Sequence, residues 1–258
     1  MRRQLEGIFC RKKYLFSRSF LFLIASIHFD SGLLGVEIED FKVLYATNGV
    51  DDVFTNEKNQ TVIRRLSNED LFTSGHFLTT GAGAYAELKG RFPNLIRIGS
   101  DSVVQCIDFN HWKIFEGSAL FCLENDYPLV LSCAEGSVKV DGLCTFIVQC
   151  TSNGGFKFIS LSGTPSLSSN KVDIVTPGGR LVLFTGGESV FGNAYDIDLL
   201  LILQTSLLVS AFENPLPTIK KVGLSVFAQQ KKLKGKYNAL IGDATSNKDL
   251  QMYILGNK

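Results

Sequence analysis

The chain has 258 residues, 45% of them hydrophobic and 20% charged, with a formal net charge of +1. This balance excludes an intrinsically disordered chain, and the 24 Gly and 6 Pro, which follow no fixed period, exclude collagen-like and low-complexity arrays. No uninterrupted apolar run reaches roughly 18 residues, which excludes an ordinary multi-span helical membrane protein and leaves a globular protein of one or two domains.

At the N-terminus, Arg2, Arg3, Arg11, Lys12, Lys13 and Arg18 face a single acid, Glu6, and the apolar stretch Phe20–Ile27 follows. A basic segment before a short apolar one is the layout of a secretory signal peptide. As a helix that stretch reaches only about 12 Å, against a hydrocarbon core of roughly 30 Å. The sequence therefore predicts a signal peptide over residues 1–26, cleaved after Ser26 with Gly35 as the alternative position. The protein is then secreted and extracellular, with no membrane span after signal removal. A retained segment would make it a type II membrane-anchored ectodomain, and a buried N-terminal element would make it cytosolic.

Residues 27–218 carry 12 bases and 22 acids, whereas residues 219–258 carry eight Lys and two Asp. The mature chain is thus an acidic body with a basic end. The basic end either pairs with the body or forms a patch for an anionic surface or glycan. It has no Arg and few aromatics, which argues against a nucleic acid partner.

From residue 36 onward, short apolar segments alternate with Gly, Asn, Asp and Ser. Val36–Glu39 alternates, Asn48-Gly49 marks a turn, and Asp51-Asp52 is a carboxylate pair of the kind that binds calcium or serves glycoside hydrolysis. Asn59-Gln60-Thr61 is a glycosylation sequon in a polar stretch, making Asn59 the candidate glycosylation site. Arg64–Phe72 has the polar capping residues of a short helix. Gly81-Ala82-Gly83-Ala84-Tyr85-Ala86 matches a dinucleotide-binding glycine pattern, with a short helix predicted over Ala84–Phe92 and Asp101 at the ribose position. The absence of further βαβ alternation weighs against that use.

Cys106, Cys122, Cys133, Cys144 and Cys150 cluster within 45 residues. Behind a signal peptide they read as a disulfide-stapled subregion with one cysteine left over, and pairing of Cys150 with Cys133 or Cys122 is preferred. With no C-x-x-C, neither a zinc ribbon nor a thioredoxin-type site is indicated. The alternative is five reduced, buried thiols. Trp112 beside His111 is read as core. His76 and His111 are the histidines available to a catalytic site, but no H-E-x-x-H or G-x-S-x-G accompanies them.

Strand signals then recur at Leu129–Leu131, Val138–Asp141, Thr145–Val148, Phe156–Ile159, Leu181–Phe184 and Val222–Val226, with turns at Asp141-Gly142, Asn153–Gly155, Pro177–Gly179 and Gly186-Gly187. Residues 160–170 are Ser-rich and read as a linker. Asp196 and Asp198 form a second carboxylate pair. Asp198–Phe212 is the most apolar run, and its length fits one buried helix or two strands.

The pattern predicts an all-β protein, an antiparallel β-sandwich of jelly-roll or Greek-key type with few short helices. It has one or two domains. Residues 36–159 form a Cys-containing β domain, and 171–258 form a second one or continue the same sandwich. The functional expectation is a secreted, disulfide-containing glycoprotein that binds an extracellular protein, glycan or microbial ligand, without catalysis, cofactor or metal. The alternatives are an extracellular hydrolase with a non-local carboxylate or His site and, behind it, a nucleotide-binding enzyme using residues 81–86.

Overall fold

The structure is a computed structural model that describes residues 40–170, 172–233, 240–242 and 252–254. The predicted signal peptide, Cys10, His28 and the strand signal at 36–39 lie outside the described residues. In chain order the strands are β1 (Asp40–Ala46), β2 (Val50–Thr55), β3 (Thr61–Arg65), β4 (Leu71–Thr73), β5 (Phe77–Thr80), β6 (Ala86–Lys89) and β7 (Leu95–Ile98). They continue as β8 (Val103–Asp108), β9 (His111–Glu116), β10 (Ser118–Leu123), β11 (Leu129–Ser132), β12 (Ser137–Asp141), β13 (Cys144–Cys150) and β14 (Phe156–Gly163). Then come β15 (Ser166–Ser169), β16 (Val172–Val175), β17 (Arg180–Thr185), β18 (Val190–Phe191) and β19 (Tyr195–Asp196). Three helices follow, α1 (Leu199–Thr205), α2 (Leu207–Ser210) and α3 (Ile219–Leu233), and a separate pair, β20 (Leu240–Gly242) with β21 (Met252–Ile254).

The protein is an all-β sandwich with short helices on one side. Sheet A runs β18-β17-β14-β13-β10-β7-β6-β1-β4, with β19 also on β17, and sheet B runs β16-β15-β12-β11-β9-β8-β5-β2-β3. The pairings within the two sheets are antiparallel except for the parallel pair β9 and β11. After β2 and β3 form a hairpin in sheet B, β4 returns to sheet A beside β1, a Greek-key-like return. Beyond it the chain alternates between sheets and advances toward the β16 and β18 end.

The sheets differ in what covers them, and the sequence records the difference. Sheet B packs one face on sheet A and presents the other to solvent. Its strands therefore alternate, as in β12, where Val138 and Val140 are buried and Ser137 and Lys139 exposed. Sheet A packs on sheet B through one face and beneath the helices through the other. β10 is buried at every residue and β13 at all but its last, which is why Thr145–Val148 reads as a continuous apolar run. The inter-sheet core centres on Trp112, whose ring meets Phe41 edge-on at 5.3 Å and Phe121 at 6.1 Å. A second core under the helices joins Leu120, Ile147, Ile159 and Leu181 of sheet A to Leu199, Ile202, Leu208 and Val222.

Several local expectations are corrected. Arg64–Phe72 forms no helix. It ends β3, turns through Ser67–Asp70 and enters β4, and Glu69 and Asp70 bond their main chain to Val43 of β1. Ala84–Phe92 forms β6, hydrogen-bonded on both sides to β1 and β7. Residues 160–170 are no linker. They complete β14, which pairs with β17, and supply β15, which pairs with β12, so residues on both sides of 165 share both sheets. Asp198–Phe212 is neither one helix nor two strands but α1 and α2, separated at Ser206. Val222–Val226 lies inside α3, where the straight-chain residues Gln229, Gln230, Lys231 and Lys232 favour helix and Pro215 and Pro217 precede it.

The helical layer is fixed to sheet A by a buried ion pair. Arg97 Nε donates to Glu87 Oε2 at 2.6 Å, and both side chains are almost fully buried. Its Nη1 donates to the carbonyls of Leu208 and Val209 at 3.1 Å, and its Nη2 to that of Asn214 at 2.6 Å. The Phe212 ring lies 4.3 Å from the guanidinium carbon. Replacing Arg97→Met leaves Glu87 buried without its partner and should cost about 3–5 kcal/mol in urea-denaturation stability. The double variant Arg97→Met with Glu87→Leu should recover part of that loss, and a single-variant loss under about 1 kcal/mol would contradict the role given to the pair.

Candidate functional site

The sequence-selected groups occupy separate places. Asn59 is exposed in the β2–β3 turn, with φ of 57°. The glycine pattern 81–86 is the crossover from β5 in sheet B to β6 in sheet A, and no helix N-terminus stands there to receive a pyrophosphate. Asp101 sits in the next turn.

Asp51 pairs with Arg65, and the fully buried Asp52 lies 2.9 Å from His76 Nδ1 while accepting from Arg64 Nη2 at 2.7 Å. Arg64 also donates to the Leu71 carbonyl, and the His76 ring stacks on Phe54 at 4.4 Å. Asp52 thus ties β2, β3 and the residue before β5 together. His111 Nε2 lies 2.7 Å from Ser132 Oγ on the solvent side of sheet B. Burial lowers the His111 pKa, with Asp108 opposing and Lys113 adding to the shift, so the ring is neutral at neutral pH. Among the described residues no group of three His, Cys, Asp or Glu is placed to hold a metal ion. No helix among them is long and apolar enough to cross a membrane.

No disulfide joins Cys106, Cys122, Cys133, Cys144 and Cys150 in this structure, where the sequence predicts a disulfide-stapled subregion. Strand alternation sets Cys122 apart from the rest. Cys122 points to the core under the helices, whereas Cys106, Cys133 and Cys144 belong to the inter-sheet core and Cys150 packs against it. Burial pushes the Cys133 thiol up, and raises Cys122 to about 11 and Cys144 and Cys150 to about 12.

Among the described residues, a cleft lies elsewhere, between α3 and the ends of β14 and β17. It measures about 300 Å³ and is lined by Thr164, Arg180, Asp196, Ser225, Gln229 and Lys232, together with Gly163, Pro177, Gly178 and Ala228. Gln229 builds it. Its Nε2 donates to the carbonyls of Gly179 and Ile197, and its Oε1 accepts from the Leu199 amide at 3.0 Å, so one buried side chain joins α3 to the starts of β17 and α1. Gly179 has φ of +86°, and a Cβ there would meet Gln229 Nε2 at 2.4 Å, so the position requires glycine.

Asp196 Oδ1 accepts from Arg180 Nη1 at 2.9 Å and stands 3.4 Å from Lys232 Nζ. The carboxylate side chain is 10% exposed, against 25% for Arg180 and 54% for Lys232. An incoming ligand therefore meets the two cations before the acid. Sequence reading singles out Asp196 alone of this set. The basic C-terminal composition is the signal for Lys232. Arg180 and Gln229 carry no local signal, because sheet pairing and helix docking bring them together.

No family model matches the chain, and no curated protein matches it. Among solved structures, two crystal structures of a candidate anti-sigma factor from Parabacteroides distasonis ATCC 8503 align with a TM-score of 0.40 each, at 9% and 10% identity, covering 70% of this chain and 99% of theirs.

Raised thiol pKa values carry a definite pH consequence. A thiol that ionises at about 12 in the folded state but near 9 when exposed favours unfolding as pH rises between those values. Stability should be fully present below about pH 9 and fall above it. Native protein at about pH 8 should take up little iodoacetamide at Cys106, Cys122, Cys133, Cys144 and Cys150 within the time that urea-unfolded protein is alkylated at all five of these positions, as read by peptide mass. Loss of two or four thiols to bridges in the non-reduced, unfolded sample would restore the disulfide expectation.

Proposed function

We propose that the protein is an extracellular binding protein whose cleft at α3 and β17 holds an anionic group of its ligand, in the first instance a carboxylated or sulfated glycan. The observation that carries this is the layered charge of the cleft, with Arg180 and Lys232 toward solvent and Asp196 behind them. None of the lining residues is aromatic, so stacking on a neutral sugar face has no platform there and recognition rests on charge and hydrogen bonds. The size suits one sugar or one anionic substituent, at the small end of ligand pockets. The lining supplies one carboxylate, where glycoside hydrolysis by the usual route needs two.

The test is calorimetric titration with a sulfated glycosaminoglycan tetrasaccharide and its desulfated counterpart as probes. Binding should favour the sulfated probe and weaken with salt. Lys232→Gln should reduce affinity by about fivefold, and Ala228→Trp, which fills the cleft from an exposed position, should abolish it. Equal affinity for both probes, or unaltered binding by Ala228→Trp, would refute the reading.

A second reading rests on the Ser132–His111 contact, where a neutral imidazole lies within proton-transfer reach of a hydroxyl. If the pair is a working dyad, a fluorophosphonate probe should label Ser132, and His111→Gln should suppress labelling by about a hundredfold. Labelling no faster than in Ser132→Ala removes the hydrolase alternative at this site.

A further inference from the structure

Helix α3 is divided lengthwise into three sectors. Val222 and Gln229 face the body, and Ser225, Ala228 and Lys232 face the cleft. The remaining sector is different. Lys220, Leu224, Phe227 and Lys231 succeed one another at spacings of four, three and four residues, which places them on one stripe spanning about 60° at 100° per residue.

Leu224 is 70% exposed and Phe227 is 67% exposed, the two most exposed large apolar side chains among the described residues. Leu200, Leu207 and Ile219, each about 40% exposed, stand on the same helical layer. Single exposed apolar residues need no explanation, but two on one stripe bracketed by lysines form a patterned surface. α3 contains Lys220, Lys221, Lys231 and Lys232 and no acid. Among the described residues, only Lys232 of these four is in an ion pair. Lys220, Lys221 and Lys231 have no acid at ion-pair distance among the described residues.

From this pattern we infer that the outer stripe of α3 docks on an anionic lipid bilayer surface. A helix face is convex, so Leu224 and Phe227 lower into a planar acyl boundary without needing a groove on the other side. The lysines at either end extend their stems beside them and place ammonium groups at the lipid phosphates. The acidic body remains on the far side of the helix, away from the lipid charge. The chemistry is that of an interfacial helix, with apolar insertion supplying affinity and lysines supplying selectivity for anionic headgroups. This surface is separate from the cleft, and either can fail without the other.

The experiment is co-sedimentation of the full chain with vesicles of phosphatidylcholine alone and of phosphatidylcholine with about 30% phosphatidylserine. Binding is expected to the anionic vesicles, at least about tenfold stronger than to the neutral ones, and to fall in about 0.5 M salt. Leu224→Ser with Phe227→Ser should lower the partition at least about tenfold, as should Lys220→Glu with Lys231→Glu. Arg180→Gln, which alters the cleft away from α3, should bind vesicles as the parent does. All four substituted side chains of the stripe are exposed, so an unchanged melting curve is expected to accompany the loss. Absence of vesicle binding, equal binding to neutral vesicles, or binding that survives the double serine variant overturns the inference. Vesicle binding lost with Arg180→Gln but kept in the serine variant also overturns it, assigning the lipid to the cleft.

Discussion

The Arg97–Glu87 pair fixes the height and angle of everything that lies on sheet A. Taking a guanidinium and a carboxylate out of water costs several kcal/mol per ion, and the pair alone does not offset that. Here the remaining donors of Arg97 reach the carbonyls of Leu208, Val209 and Asn214. The first two are groups that a four-residue helix such as α2 leaves without partners at its end. Two deficits, a desolvated cation and an uncapped helix, are settled by the same contacts. An apolar residue at position 97 would bury as much surface but would not select one orientation of α2.

From that fixed point the rest of the helical layer follows. Leu208 packs close to Gly99, where a Cβ would meet Ser118 Oγ at 2.4 Å. Past Ala211, the C-cap of α2, the chain runs on to Thr218. The Thr218 hydroxyl pairs with that of Thr145 at 2.6 Å next to Cys122, and α3 begins there. At the far end of α3, Gln229 closes on Gly179, Ile197 and Leu199. The cleft is the space left between a helix held at both ends and the strand ends it crosses, so its shape is set by polar contacts on sheet A and not by the apolar residues between them.

How much of this was legible in the sequence depended on how many faces each segment buries. Alternation at Val138–Asp141 announced a strand with one wet face, and the turns at Asn48-Gly49, Asp141-Gly142 and Asn153–Gly155 fell where hairpins or crossovers occur. Thr145–Val148 announced a strand buried on both faces, but nothing local said that helices would cover the second one. The failures have a common cause. Arg64–Phe72 and Ala84–Phe92 have helical composition, yet sheet pairing to β1 and β7 overrides it. Val222–Val226 has strand alternation, yet it lies on the face of sheet A and the Lys- and Gln-rich sequence after it wins as helix. The serines of 160–170 resemble a linker, yet two of them, Ser160 and Ser162, are buried in β14. The cysteines cluster in sequence because the central strands do, and strand alternation then divides them between two cores.

The candidate chemistry was hidden for a related reason. Histidines and carboxylate pairs are conspicuous in a sequence, and the structure uses them largely as joints: Asp52 with Arg64 and His76 clamps three segments, and Asp198 caps α1 by accepting from the Leu201 amide. The residues that shape a space for a ligand are inconspicuous ones, a glutamine, a serine and a pair of cations far apart in the chain. Asp196 belongs to both classes. It neutralises part of Arg180 and Lys232, which allows two cations to share one cleft wall, and because it sits deeper than either, it holds them without cancelling the field at the opening. Among the described residues no acid pairs with the lysines on the outer stripe of the same helix. One basic helix thereby presents a tempered cationic cleft on one side and an untempered cationic, apolar stripe on another, and the difference between the two is made by the depth of a single carboxylate.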